Sequence, residues 1–124
     1  MSMMPWWWPF GTVPEVQAAE LDREMRSRRP PQLLDVRSAA EHAAGHIGGV
    51  KLVPLPELRQ RLAGLGLDRS RAVVAICQSG NRSRPAVRLL RAEGYEARQL
   101  AGGMNAWRRA GLGEARKKGA ARRP

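Results

Sequence analysis

The one cysteine of the chain, Cys77, opens the run Cys77-Gln78-Ser79-Gly80-Asn81-Arg82-Ser83. An apolar stretch, Ala72 to Ile76, precedes it and reads as a buried strand. After it, Val87, Leu89 and Leu90 recur between Arg84, Arg88 and Arg91, which predicts a helix. A tight polar loop between a strand and a helix gathers backbone N–H groups on one point, and the helix dipole favours negative charge there. A cysteine at that point is expected to be held as a thiolate, the form in which sulfur acts as a nucleophile.

The elements that must position this loop alternate along the chain. Thr12-Val13 reads as a short edge strand stopped by Pro14, and a helix is expected from about Glu15 to Ser27, broken by Arg28 to Pro31. Gln32 to Val36 reads as a central strand ending in the charged pair Asp35 and Arg37. Ser38 with Glu41 three residues on has capping-box spacing, so a helix should run from there to about Ala44. Gly45 to Gly49 is a turn, Val50 to Val53 a third strand, and Glu57 to about Ala63 a helix with Leu58 and Leu62 on one face. Arg71 to Ile76 is the strand that delivers Cys77. Ser83 to Glu93 is the next helix, ended by Gly94. Tyr95 to Leu100 is a last strand. Ala101 to Gly103 turns into a short helix, Met104 to Arg109, around Trp107. Such alternation predicts an α/β domain with a mostly parallel central sheet and helices on both faces. Sites in such sheets lie at the C-terminal strand ends, where Asp35, Arg37 and Cys77 would meet.

With 124 residues the chain is long enough for one core. A single cysteine excludes an intramolecular disulfide and a cysteine-based metal cluster. A working thiol survives best in a reducing cytoplasm, which is the expected location. The formal charge is +11, and seven of the 22 Lys and Arg, with one of the 11 acidic residues, lie from Arg108 onward. Residues 113–124 are therefore expected to form a disordered basic tail, open to weak contact with RNA. Residues 1–11 are apolar and contain Trp6, Trp7 and Trp8. The segment is too short to span a bilayer and lacks the pattern of a signal peptide. Packing on its own domain or a homodimer contact is expected of it.

Four motifs then stand in order. Asp35-Val-Arg37, Gly45-His-Ile47, the run Cys77 to Ser83, and Leu100-Ala-Gly-Gly-Met-Asn-Ala-Trp107 together resemble the rhodanese-like sulfurtransferase domain, over about residues 12–112. The resemblance implies a ping-pong sulfur transfer. The Cys77 thiolate takes the outer sulfur of thiosulfate or a persulfide donor and passes it to a thiol, cyanide or a partner protein. The resemblance implies no metal and no organic cofactor. Gln78, Ser79, Gly80, Asn81, Arg82 and Ser83 would form the anion cradle, with Arg82 on the donor's sulfonate oxygens or balancing the loop's charge. Gly80 is expected to serve backbone geometry, and Ser83 to cap the helix or bond the loop. Asp35 and Arg37 are expected to tie the strand end to the loop.

His42 and His46 are read as structural, since no further ligand types cluster with them. Gly102-Gly103 is read as a turn, and Trp107 as packing for the last helix. Loop length separates a rival. Phosphatases and arsenate reductases of related architecture place five residues between Cys and Arg, whereas four separate Cys77 from Arg82. A second reading, from another class, is a persulfide carrier or interaction module that works only with a partner protein.

Overall fold

The computed structural model describes residues 11–116. Five strands and five α-helices alternate: β1 (Glu15–Val16), α1 (Ala18–Met25), β2 (Gln32–Asp35), α2 (Ala39–Ala44), β3 (Lys51–Leu52), α3 (Leu55–Arg61), β4 (Val73–Ile76), α4 (Ser83–Ala92), β5 (Ala97–Leu100) and α5 (Gly103–Arg109). They form one sheet in the order β1-β5-β4-β2-β3, with every pairing parallel. The sequence pattern explains the layering. Alternate strand residues point to opposite faces, so a strand covered on both sides is apolar throughout. In β4, Val73 and Ala75 join the cluster under α3 and α4, while Val74 and Ile76 join the one formed with Leu21 of α1 and Met104 and Trp107 of α5.

β4 sits in the middle of the sheet, with β5 on one side and β2 on the other. Its C-terminal end therefore opens between Asp35 of β2 and Leu100 of β5, and Cys77 follows directly. The capping box at α2 forms: Ser38 Oγ accepts from the Glu41 N–H at 3.2 Å, and Glu41 Oε1 accepts from the Ser38 N–H at 3.0 Å.

Besides strands and helices trimmed by one or two residues at their ends, three local differences from the pattern reading have a physical reason. The edge strand lies after Pro14, not before it, so Glu15 and Val16 are strand and α1 starts later, at Ala18. The reason is that Pro14 keeps its acceptor: its carbonyl takes the Gln99 N–H at 2.9 Å, and only the missing N–H bars it from a central strand. α3 begins at Leu55, two residues early, because Pro56 stands in a first turn that needs no N–H from it.

The third difference is at the end of the domain. The chain stays packed past Leu112. Gly113 O accepts from Trp107 Nε1 at 2.9 Å, Glu114 pairs with Arg108 at 2.9 Å, and Ala115 exchanges two backbone bonds with His46 at 2.7 and 2.9 Å. The folded part thus includes residues 113–116, which charge alone assigned to a solvated tail. Trp6 to Trp8, with the expected dimer contact, and the remaining tail from Lys117, with the expected RNA contact, lie outside the described residues. Among the described residues no helix is long and apolar enough to cross a membrane.

Candidate active site

Cys77 is 1% exposed, at the C-terminal end of β4. Its Sγ accepts from the Gly80 N–H at 2.9 Å and lies 3.3 Å from Ser83 Oγ. Gly80 makes the first contact possible with φ of +102°, a conformation that costs a side-chain-bearing residue. The loop doubles back on its own cysteine, and α4 begins at Ser83. An N–H aimed at sulfur and a helix N-terminus behind it both favour negative charge on the sulfur side of the loop.

The near half of the loop is held by three elements. Arg37 is 1% exposed and makes four side-chain hydrogen bonds: it donates to Asp35 Oδ1 and Oδ2 at 2.9 and 2.8 Å, to Gly45 O at 2.7 Å and to Gln78 Oε1 at 3.0 Å. Burial alone would raise the Asp35 carboxyl, but the hydrogen bonds and charge of Arg37, with His42, outweigh it and hold the group below its usual range. On the other side Gln78 Nε2 donates to Asn105 Oδ1 at 2.7 Å. α5 closes against the loop itself, with the Met104 N–H on Cys77 O at 2.8 Å and the Asn105 N–H on Gln78 O at 3.0 Å. That approach needs Gly103, whose φ is +59°; a Cβ there would collide with the Cys77 carbonyl and come within 2.7 Å of Gln78 C. The glycine pair is therefore more than a turn: it brings a helix end onto the cysteine loop.

The far half of the loop is different. Ser79 and Asn81 are exposed and touch each other at 3.4 Å. Arg82 donates from Nη1 and Nη2 to the two Glu41 oxygens at 2.6 and 2.7 Å. The Arg82 hydrogen bonds, chiefly, with those from Ser38, take the Glu41 carboxyl from an ordinary 4.5 down to about 2. The charge expected to await a donor is thus matched by a carboxylate on α2. Ser83 does not cap α4, since Arg82 is the residue at that position. It sits inside, 0% exposed, as a partner of Cys77 and of Gln99.

His42 and His46 stack with ring centroids 3.7 Å apart, and His42 Nδ1 lies 3.1 Å from Asp35 Oδ2. They brace the Arg37 cluster. Among the described residues no group of three His, Cys, Asp or Glu is placed to hold a metal. A cavity of about 370 Å³ opens elsewhere, beside Leu62, Leu89 and Tyr95, and does not reach Cys77.

Sequence reading missed Glu41 as the partner of Arg82, because capping already accounted for it. It also missed Asn105, Gln99 and Glu15. A glutamine in an otherwise apolar strand was the one available signal for Gln99.

A parallel α/β sheet thus carries a buried cysteine at the C-terminal end of its central strand, with the N–H of a loop glycine on its sulfur. The model of the rhodanese-like domain matches residues 17–110, and the chain belongs to that family. Among curated relatives, an HTH-type transcriptional regulator of Mycobacterium tuberculosis is 41% identical over 99 residues, which cover 78% of this chain and 42% of that protein. A sulfurtransferase of Allochromatium vinosum is 34% identical over 101 residues, covering 81% of this chain and 92% of the relative. The solved thiosulfate sulfurtransferase of Pseudomonas aeruginosa superposes with a TM-score of 0.76 at 28% identity, covering 87% of this chain and 20% of that one. The chain spans 42% to 62% of the length of three curated relatives it matches, the mycobacterial regulator among them.

Proposed function

We propose that the protein moves sulfane sulfur through a persulfide on Cys77. The Cys77 thiolate attacks the outer sulfur of thiosulfate or of a persulfide donor. The donor's S–S bond breaks, and sulfite or the donor thiolate leaves with the bonding pair. An acceptor thiolate then takes the outer sulfur and restores the cysteine. The observation that carries this reading is the Gly80 N–H on Cys77 Sγ at 2.9 Å, with the N-terminal end of α4 following at Ser83. These groups would stabilise the anionic persulfide without a metal or organic cofactor. Gln78 to Ser83 form the cradle, and Asp35 and Arg37 support it. A reducing cytoplasm is part of the proposal.

A second reading, as a persulfide carrier or module for a partner protein, draws on two observations. Arg82 is clamped on Glu41, so a sulfonate donor must displace a carboxylate to reach it. More than half of the mycobacterial regulator lies outside the match. Steady-state sulfur transfer from thiosulfate and from a low-molecular-weight persulfide to a thiol tests both readings. Turnover with either donor, lost in Cys77→Ser, is expected of an enzyme. Use of the persulfide with little use of thiosulfate favours the carrier. Turnover surviving in Cys77→Ser contradicts the mechanism.

A further inference from the structure

Behind Cys77, on the side away from Arg37 and Arg82, a line of polar atoms runs through the protein to its edge. Cys77 Sγ lies 3.3 Å from Ser83 Oγ. Ser83 Oγ lies 2.6 Å from Gln99 Oε1, and Gln99 Nε2 lies 2.6 Å from Glu15 Oε2. Ser83 and Gln99 are 0% and 2% exposed, whereas Glu15 is exposed on edge strand β1, at a cavity of about 170 Å³ that Gln99 and Arg84 also line. The register puts Glu15 opposite Gln99 across β1 and β5. None of these contacts is needed to hold the loop, which Arg37, Asn105 and Gly103 already do.

The order of atoms gives the line a direction. A carboxylate only accepts, so the end of Gln99 that faces Glu15 must be its NH₂. The carbonyl end then faces Ser83, and a carbonyl oxygen cannot donate. The Ser83 hydroxyl must therefore spend its single proton on Gln99, which leaves lone pairs toward Cys77. Sulfur that meets a lone pair is best matched as S–H. The Gly80 N–H on the same sulfur can be accepted by a thiol and by an anion alike, so it does not set the direction. For a thiolate or a persulfide, Ser83 must turn its proton away from Gln99 and onto sulfur.

We propose that Glu15, acting through Gln99, sets the direction of hydrogen bonding at Ser83, so that Ser83 accepts from the Cys77 thiol in the sulfur-free protein. Glu15 and Gln99 are positioning residues, and Ser83 is a two-way hydrogen-bond switch that touches the reacting sulfur. This deepens the persulfide reading above and rests on it only in taking Cys77 as the working sulfur. The other charged groups around the loop are arranged in closed pairs, Arg82 with Glu41 and Arg37 with Asp35, and the His42 ring lies against Asp35. Arg84 is the charged neighbour of Glu15 at the cavity.

The test is the rate of alkylation of Cys77 by iodoacetamide at neutral pH, which does not require sulfur transfer. In Glu15→Ala, Gln99 is free to turn its NH₂ to Ser83, and Ser83 can then donate to sulfur. Alkylation at neutral pH should rise roughly three- to tenfold, the range of one net hydrogen bond. Loss of a nearby negative charge would push in the same direction. The Ser83→Ala background separates the two effects, because an effect of charge persists there and an effect passed through the hydroxyl does not; Glu15→Gln cannot, since its amide offers Gln99 either a donor or an acceptor. Adding Glu15→Ala to Ser83→Ala should change nothing further, because the switch is already gone. Two results would each overturn the proposal: an unchanged rate in Glu15→Ala, or the same gain in the Ser83→Ala background. Neither of them depends on whether the protein transfers sulfur, so this inference and the proposed function can fail separately.

Discussion

Two arginines, each with a bidentate carboxylate partner, flank the same loop. Arg37 and Asp35 are two residues apart, both 1% exposed, and the guanidinium also donates to Gly45 O and to Gln78 Oε1 of the loop. Arg82 and Glu41 are brought together from opposite ends of the site, with side chains 41% and 32% exposed. The pairs are alike in chemistry and opposite in consequence. A buried pair cannot open without leaving a charge unsolvated, so it is part of the frame. A pair at the water boundary gives up little when it opens, so it can exchange a partner. The frame thus lies on the near half of the loop, at Gln78, and the adaptable charge on the far half, at Arg82.

The largest break in this comparison is Arg37→Met. It leaves the Asp35 carboxylate buried beside His42 alone and releases Gln78. A loss of about 3–5 kcal/mol in denaturant unfolding is expected, with sulfur transfer lost in step. A variant as stable as the parent would show that Arg37 is not framework.

Gly103→Ala attacks the same near half from the α5 side. Positive φ and the collision with the Cys77 carbonyl should together cost about 1–3 kcal/mol. The loop must also shift, so sulfur transfer should fall more than stability alone explains. Gly111→Ala is the matched control: its φ is +74°, but an added Cβ would have no heavy atom within 4 Å. It should lose stability only, and a loss of transfer equal to that of Gly103→Ala would remove close approach as the reason for the glycine.

Arg82→Ala and Glu41→Gln should change stability by no more than about 1 kcal/mol, the range of an exposed pair. Their effect belongs to donor use. Arg82→Ala should raise KM for thiosulfate more than for an uncharged persulfide, and Glu41→Gln, which loosens the clamp, should lower it. Equal effects of Arg82→Ala on both donors would take Arg82 out of sulfonate recognition.

The smallest effect is in acid. Glu41 sits near 2 in the folded protein against an ordinary 4.5. Its folded value is depressed, so its contribution to stability is complete above about 4.5 and is lost as pH falls through about 2. In carbon-detected NMR the Glu41 carboxyl should titrate near the lower value, and move up toward the ordinary one in Arg82→Ala. An unmoved midpoint would mean that the Ser38 cap, rather than Arg82, holds the charge.

These features were unequally visible in the sequence. The strand-loop-helix around Cys77, the Ser38–Glu41 cap and the parallel α/β layering follow from local patterns: apolar runs, three-residue spacing and glycine placement. The links across the fold do not. Glu41 meets Arg82 across 41 residues, and Gln99 meets Glu15 across 84. Glu15 itself was hidden by a helical pattern that ran through a two-residue edge strand, which only pairing with β5 makes a strand. The packed end at Glu114 and Ala115 depends on Arg108 and His46, neither of which is a sequence neighbour. Local chemistry can be read along a chain; hydrogen-bond partners set by tertiary contact require the sheet order first.

The central claim is that Cys77 carries sulfur. Intact-protein mass spectrometry after incubation with thiosulfate or a small persulfide, beside Cys77→Ser, tests it directly. The account predicts a gain of one sulfur atom, ~32 Da, removed by excess thiol and absent from the variant. A demonstrably reduced Cys77 that gains no mass from any sulfane donor, or a gain that persists in Cys77→Ser, would contradict it.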